Sequence, residues 1–360
     1  MDLYERIMEL GSMGYHCSQI IMIMTLETIG EENPQLVKAM GGLGGGIGYC
    51  GDTCGCLTGS ACAIGYFLGN LAPEEKEDAQ MKKSISYWSF SGKNVFEAMR
   101  LAKDAGFDGI ELTLDAEGDV TMETAPEKLA EIRRAAEEIG IALPSVASSL
   151  YWAYSFTSDD PEEREKAHQA AVCEIKTAKA LGADTVLIVP GSVSVEFVPE
   201  RPVVAYDVCW QRAVAEMKRL APVAAEHQIH IGVENVWNKF LLSPLEMRAF
   251  IDEIGSEWIG SYFDVGNVVY AGYPEQWIRI LGKRIKKVHF KDFRRNPGGL
   301  NSFVDILAGD VDWPAVMQAF EDIGYDGWAT GEMIPAYGHA SDQIIYNTAA
   351  SMERILEKKF

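Results

Sequence analysis

The sequence predicts an α/β fold, a (β/α)8 TIM barrel preceded by a small helical segment rich in Cys and Gly. From about residue 82, short apolar runs alternate with amphipathic stretches, the order typical of parallel strands joined by crossover helices. Eight such apolar runs are present, the number that closes a barrel of this kind. No GxGxxG motif follows the first run, which disfavours the alternative of an open doubly wound sheet.

The predicted strands are short runs enriched in β-branched and aromatic residues, which favour extended backbone. They are expected at residues 84–90, 109–113, 142–147, 184–189, 229–234, 259–264, 285–290 and 327–332. Amphipathic helices are expected between them. One begins at Pro126 and ends at Gly140, and a longer charged helix ends at Gly182. Pro suits the first turn of a helix and Gly its end, so these positions predict where the helices start and stop.

The composition divides the chain into two unlike pieces. Residues 1–71 are rich in Gly, Cys and Met, and are predicted to form a helical segment. An acidic stretch over residues 72–81 is predicted to be a solvated linker. The barrel is expected to occupy residues 82–360.

Charge and hydropathy exclude several classes of partner. A net charge of −21 argues against nucleic acid, because phosphate contacts need a basic surface. No run reaches the roughly 18 apolar residues of a membrane helix, and the N-terminus lacks the features of a signal peptide. An odd total of seven Cys argues for reduced thiols. We therefore expect a cytoplasmic protein with neither a membrane nor a nucleic-acid partner.

Four consecutive predicted strands each end in a residue that can bind a divalent metal. These residues are Glu234, Asp264, His289 and Glu332, spaced 25–43 residues apart, about one strand-plus-helix unit. In a (β/α)8 barrel the carboxyl ends of the strands form the active-site face, so the four side chains are expected to converge there. Three carboxylates with one imidazole favour Mn²⁺, with Mg²⁺ or Co²⁺ as alternatives, over a closed zinc site.

Residues 81–360 resemble the xylose-isomerase-like barrels of sugar phosphate isomerases and epimerases. The resemblance rests on VENVWNKFLLSP, YFDVGN, VHFKD, GDVDW and GYDGWATGE, and it is greatest for the ketose and ketose-phosphate 3-epimerase branch. It implies a metal held by Glu234, Asp264, His289 and Glu332. It also implies that Glu234 and Glu332 act as acid and base on opposite faces of the sugar, and that the protein is a homodimer or homotetramer.

The expected function is therefore metal-dependent epimerisation of a ketose or ketose phosphate at carbon 3 through an enediolate. A divalent cation stabilises the charge that develops when the carbon beside a ketone loses its proton. An aldose–ketose isomerase, a sugar dehydratase or a lyase begins with the same deprotonation, so these alternatives stay open. A phosphodiesterase like the endonuclease IV relatives of this barrel is disfavoured, because that chemistry uses more metals and more histidines.

Several further residues are candidates for sugar contacts. Lys291 or Arg295 could orient a hydroxyl or a phosphate, and Trp88 and Trp237 could wall the pocket. Asn267 stands where free-ketose 3-epimerases carry a His. The additional Glu that those enzymes carry after the first metal ligand is also absent, since the region reads NKFLL. Both departures concern the identity of the sugar and leave the metal ligands in place.

The N-terminal segment, with GYHCSQ and GYCGDTCGCLTGSACAIG, resembles the small redox proteins named for a C-GCAxxG-C-C pattern. Cys17 and Cys54 fit that family's positions, which implies a redox role for them. Clustered thiols can bind metal or exchange disulfides, whereas small buried cysteines in a Gly-rich packing unit are the structural alternative. A redox protein acting through these cysteines is thus a third expectation for function.

Overall fold

The computed structural model describes residues 3–44, 54–68, 81–335 and 337–360. The chain separates into two compact units, Met1–Ala79 and Gln80–Phe360. The predicted linker lies outside the described residues except for Met81, so its conformation stays a prediction.

The first unit is helical where it is described, as predicted. Its helices are α1 (Leu3–Ser12), α2 (Cys17–Ile29), α3 (Pro34–Met40) and α4 (Gly55–Leu68). A small apolar cluster of Met22, Leu26, Met40 and Ala63 joins the last three. Gly59 lets α4 approach α2 closely, because a Cβ atom there would lie 2.8 Å from the Cα atom of Ser18.

The second unit is a closed barrel of eight parallel strands, which confirms the predicted fold class. The barrel strands are β1 (Lys82–Ser86), β2 (Gly109–Leu114), β3 (Ser145–Ser148), β4 (Thr185–Ile188), β5 (His230–Glu234), β6 (Ile259–Asp264), β7 (Ile285–Phe290) and β10 (Trp328–Gly331). Each pairs with its neighbours in chain order, and β1 closes the barrel against β10. A short antiparallel pair, β8 (Asp292–Phe293) and β9 (Phe303–Val304), follows β7 outside the barrel.

Helices surround the barrel and cover its apolar strands. They are α5 (Val95–Asp104), α6 (Pro126–Ile139), α7 (Leu150–Ala153), α8 (Pro161–Leu181), α9 (Tyr206–His227), α10 (Pro244–Ile254), α11 (Pro274–Leu281), α12 (Trp313–Ile323) and α13 (Gln343–Leu356). As predicted, Pro126 opens α6, and Gly140 and Gly182 end α6 and α8 in the left-handed conformation. Within the described ranges, none of the helices has the length and apolar character that a membrane crossing demands.

Two strands, β1 and β3, have limits that differ from the prediction by more than one residue. β1 begins at Lys82, and Tyr87–Ser89 form a 3-10 turn where the prediction continued the strand. The buried Lys83 belongs to the strand despite its charge, because its Nζ atom donates to the Ala349 carbonyl at 3.4 Å. β3 begins three residues later than predicted, since Pro144 has no N–H to donate to a ladder.

One charged side chain of the helical layer is buried away from the mouth of the barrel. Glu174 on α8 is inaccessible to solvent, and one of its oxygens accepts a hydrogen bond from the Tyr151 hydroxyl. The other oxygen, Oε1, has no hydrogen-bond partner. Burial raises the pKa of Glu174 well above its usual value of 4.5, so the side chain is protonated over a range where the unfolded chain is ionised.

We expect Glu174→Gln to remove part of the pH dependence of stability. Because the pKa of Glu174 is higher in the folded protein than in the unfolded chain, this group leaves the free energy of unfolding unchanged below pH 4.5. As the pH rises from 4.5 towards the folded-state pKa, the free energy of unfolding falls. Across that pH range, the free energy of unfolding of the variant should rise relative to that of wild type by up to about 1.4 kcal/mol per pH unit. Urea unfolding from pH 4.5 upward measures this. Glu127→Gln on the exposed face of α6 is the control, and parallel curves for wild type and Glu174→Gln would contradict the prediction.

Candidate functional site

The four predicted metal ligands meet at the carboxyl ends of four adjacent barrel strands. Glu234 and Asp264 are the last residues of β5 and β6, His289 is the penultimate residue of β7, and Glu332 directly follows β10. Asp264 lies opposite His289 in the ladder, and the Glu332 N–H donates to the Phe290 carbonyl at 3.1 Å. The barrel order β5, β6, β7, β10 therefore brings the four side chains together. We call these four residues the ligand cluster.

The geometry of the ligand cluster fits a divalent metal. One potential ligand atom from each residue lies within 4.8 Å of all the others, and all four side chains are buried. The Nδ1 atom of His289 lies 3.0 Å from Glu332 Oε2, 3.9 Å from Asp264 Oδ2 and 4.0 Å from Glu234 Oε1. None of these three atoms of His289, Glu332 and Asp264 makes a hydrogen bond of regular geometry, and the two carboxylate oxygens have the Lys291 ammonium group as an ion-pair partner. Buried polar atoms are rarely left unsatisfied, so their convergence is a donor set suited to a cation.

A fourth buried carboxylate, that of Glu111, contacts the opposite edge of the imidazole ring. Glu111 is on β2, and its Oε1 atom lies 2.9 Å from the Nε2 atom of His289. Its Oε2 accepts hydrogen bonds from Ser145 Oγ at 2.8 Å and from the Tyr262 hydroxyl. Gly232 makes room for the tyrosine, because a Cβ atom there would lie 2.8 Å from Tyr262 Cβ. Glu111 thus favours the tautomer in which Nε2 carries the proton and the Nδ1 lone pair faces the ligand cluster.

Two asparagines fix the carboxylate of Asp264. The Asn235 side chain donates to the Asp264 carbonyl and accepts from its N–H, both at 2.8 Å. The Asn267 N–H donates to Asp264 Oδ1 at 2.8 Å, which leaves Oδ2 directed into the ligand cluster. The Asn267 amide group also donates to Glu234 Oε1 at 3.3 Å. Asn267, predicted to contact the sugar, therefore also orients two of the ligands.

Lys291 supplies positive charge at the edge of the ligand cluster. Its Nζ atom lies 2.6 Å from Glu332 Oε2 and 3.2 Å from Asp264 Oδ2. Although burial opposes the charged form, these carboxylates raise the pKa of Lys291 above its usual value. Gly266 permits the approach, because a Cβ atom at that position would lie 2.5 Å from Lys291 Cβ.

The two glutamates of the ligand cluster have opposite pKa shifts. Burial, together with the neighbouring carboxylates, raises the pKa of Glu234 to about 8. At Glu332 burial also favours the protonated form, but Lys291 and His289 outweigh it and lower the pKa to about 2. The difference follows from the position of Lys291, whose Nζ atom lies 2.6 Å from Glu332 Oε2.

A cavity of about 500 Å³ opens above the ligand cluster. Glu234 and Glu332 form part of its floor, together with the predicted substrate contacts Asn267 and Lys291. The predicted aromatic walls, Trp88 and Trp237, also line it. The Trp237 ring is fixed by a hydrogen bond from Nε1 to the Asn267 carbonyl at 2.8 Å.

Arg295 does not lie with the other predicted contacts. Its Nη1 atom donates to the Asp310 carbonyl at 3.3 Å, its Nη2 atom donates to the Gly272 carbonyl at 3.1 Å, and the guanidinium lies over the Tyr273 ring. Arg295 is exposed and is not among the residues described as lining the cavity. Its contact with substrate stays a prediction that this arrangement does not favour.

Sequence reasoning missed the support of His289. Glu111 carries a detectable signal, since it is a lone charged residue within the apolar strand GIELTL. Ser145 and Tyr262 carry none, because each is an ordinary strand residue whose role depends on partners far away in the chain.

The described cysteines of the first unit include a group of three. Cys17 begins α2, Cys54 directly precedes α4, and Cys56 interacts with both thiols. The N–H groups of Cys56 and Leu57 and the Cys56 thiol lower the pKa of Cys54. Burial, with Cys17 and Cys54 nearby, raises the pKa of Cys56. Cys50 lies outside the described residues.

Replacing Glu111 by Gln is expected to weaken divalent metal binding by about 10- to 100-fold, the usual effect of losing a carboxylate behind a histidine ligand. Titration calorimetry with Mn²⁺, Co²⁺ and Zn²⁺ on chelator-treated protein measures the affinity. Glu174→Gln is the matched control, because it makes the same change at another buried glutamate. Equal affinities for the two variants would show that Glu111 does not position His289.

Comparisons with known proteins agree with this architecture. Residues 15–92 match the family described as "Putative redox-active protein (C_GCAxxG_C_C)". The "Putative L-ribulose-5-phosphate 3-epimerase SgbU" of Escherichia coli (strain K12) is 27% identical over 64% of this chain and 80% of its own length. The inosose dehydratase of Lacticaseibacillus casei is 24% identical over 49% of this chain and 65% of its own length.

The barrel is also similar to a solved structure of the IolI protein with a bound zinc atom. That structure has a TM-score of 0.65 and 17% identity, and the match covers 78% of this chain and 99% of IolI. The model of the xylose isomerase-like TIM barrel family matches residues 99–355, well over half of the chain. The chain therefore belongs to the xylose isomerase-like TIM barrel family.

Proposed function

We propose that this protein is a metal-dependent epimerase that inverts carbon 3 of a ketose or ketose phosphate. The observation that carries the proposal is the placement of Glu234 and Glu332 at the two ends of an arc of four adjacent strands. A substrate above Asp264 and His289 would have one glutamate on each side. The similarity to SgbU supports the same reaction class.

The four residues of the ligand cluster would hold the metal. A bound divalent ion would supply a Lewis acid that stabilises the negative charge developing on the sugar's carbonyl oxygen. Oxygen-rich ligands make Mn²⁺ our first choice. Zinc is tested beside it, because the IolI structure contains zinc.

The protein's own groups perform the proton transfers. One glutamate removes the proton from carbon 3, and the other delivers a proton to the opposite face, so the centre is inverted. Which glutamate faces which side depends on the configuration of the substrate. Lys291, beside Glu332, favours the ionised carboxylate and can donate a hydrogen bond to a substrate oxygen.

Dehydration is a second reaction that the same site could support, and the similarity to an inosose dehydratase favours it over isomerisation and lyase chemistry. It shares the first deprotonation and then expels a hydroxyl group from the adjacent carbon. Aldose–ketose isomerisation and lyase chemistry also begin with that step. They differ in the position and fate of the second proton.

Deuterium uptake from D₂O into a panel of ketoses and ketose phosphates tests the proposal. With Mn²⁺ we expect label at carbon 3 with inversion, and with EDTA no label. Glu234→Gln and Glu332→Gln should each lower the rate by about 10²–10⁴-fold, the usual contribution of a general acid or base. Glu127→Gln, an exposed change of the same kind, should leave the rate unchanged. Label at carbon 1 would identify an isomerase, and loss of water a dehydratase.

A second candidate function, thiol redox chemistry in the first unit, is favoured by the group formed by Cys17, Cys54 and Cys56. A thiolate at the start of a helix is stabilised by backbone N–H groups, and this is a common setting for reactive cysteines. The match to the C_GCAxxG_C_C family supports this candidate.

Cys54 is expected to react with iodoacetamide at a pH below its usual pKa of 9.0, because its thiolate accepts hydrogen bonds from the N–H groups of Cys56 and Leu57. Alkylation rates measured between pH 6 and 10, with peptide mapping by mass spectrometry, give the midpoint. Cys54→Ser should abolish the fast phase, whereas Cys62→Ser on the same helix should retain it. A midpoint at 9 or above for Cys54 would rule out an activated thiol.

A further inference from the structure

The cavity above the ligand cluster has two chemically different halves. Its floor carries the ionisable groups described above. Its upper wall is formed by apolar side chains from four separate segments, among them Trp152, Phe197, Leu300, Phe303 and Ile334. Only a few polar groups, such as Ser148 and Ser149, interrupt this wall.

The apolar wall continues to the mouth of the cavity. Phe197, Leu300 and Ile334 have exposed fractions of 48%, 42% and 47%. Single exposed apolar residues are ordinary, but these three line the same cavity. Trp152 contacts Phe197 edge to face, with ring centroids 4.9 Å apart, which helps to hold the Phe197 ring in place.

Among the described residues, the mouth of the cavity offers no cation to a phosphate group. Lys291 is the one cationic side chain among the described lining residues, and it lies at the floor beside Glu332 and Asp264. Arg201 is near the wall, but it donates to the carbonyls of Trp152 and Ala153. A phosphate held against an apolar wall would lose its hydration without gaining the charged hydrogen bonds that proteins use to bind it.

We propose that the substrate is an uncharged carbohydrate bearing an apolar substituent at the end remote from its reacting carbons. This inference rests on the proposed function and specifies its substrate class. The polar end of the molecule occupies the floor, and the apolar group covers Phe197, Leu300 and Ile334. The volume of about 500 Å³ lies in the range of cavities that enclose ligands of drug-like size.

Three matched ketoses test the proposal by catalysis: 6-O-benzyl-D-fructose, D-fructose and D-fructose 6-phosphate. The three corresponding D-mannitol derivatives, one defined epimer of each reduced ketose, test it by binding, because these hexitols cannot lose a proton beside a ketone. Calorimetry with the Mn²⁺-loaded protein should show the benzyl hexitol binding at least 10-fold more tightly than the unsubstituted one. The hexitol phosphate should bind no more tightly than the unsubstituted one.

Binding and exchange separate the two proposals. Preferred binding of the benzyl hexitol without deuterium exchange in any ketose would sink the epimerase and leave the apolar preference standing. Exchange with tightest binding of the phosphate would overturn the apolar preference alone. Equal affinities for the three hexitols, including no measurable binding of any, also overturn it.

A charge added at the mouth gives an independent check. Phe197→Arg should lower the ratio of the affinity for the benzyl hexitol to that for the unsubstituted hexitol (the benzyl preference) at least 10-fold. It should also strengthen binding of the hexitol phosphate. Phe360→Arg is the control, because Phe360 is similarly exposed, at 53%, and does not line the cavity. An unchanged benzyl preference in Phe197→Arg would show that the wall does not contact the substituent.

Discussion

The barrel depends on balancing several buried carboxyl groups. Three belong to the ligand cluster, and that of Glu111 lies directly behind His289. A buried carboxylate is stable only when it is paired, hydrogen-bonded or protonated. Lys291 supplies positive charge, and asparagine side chains and backbone N–H groups supply hydrogen bonds. Three converging atoms of the ligand cluster make no hydrogen bond of regular geometry, and a divalent cation could bind all three.

The strands and the loops contribute to the site in different ways. The ligand cluster sits at strand ends, where ladder hydrogen bonds fix the backbone. The mouth is built from connecting segments, which are held by fewer contacts. One anchor for them is Asp292, whose carboxylate accepts from the N–H groups of Leu307 and Val311 and from the Trp313 indole. It holds the connection after β7 in a defined position and with it Leu300 and Phe303. Chemistry and substrate recognition thus rest on separate parts of the fold.

The parts of the site that could be predicted are those with a local signal. Each ligand follows an apolar run, so strand prediction alone was enough to bring the four together. Glu111 could not be assigned in this way, because a charged residue within a strand can face either side of the barrel wall. Its burial depends on Tyr262, 151 residues further along the chain, and on the space left at Gly232. Arg295 shows how little spacing alone can establish, since its position after His289 suggested a sugar contact but its guanidinium donates to two carbonyl groups.

The charge of the whole molecule bears on the choice of substrate. The floor of the cavity is acidic, and the chain carries a net charge of −21. Such a field slows the approach of a dianion and accumulates cations, so it assists metal binding while opposing a phosphorylated sugar. A phosphate could overcome this field only with a local cluster of Lys or Arg, and the described wall has apolar side chains in that place. An uncharged sugar with an apolar substituent is not repelled by this field and needs no Lys or Arg at the wall. The acidity needed to hold a metal and the apolar mouth therefore favour the same class of substrate.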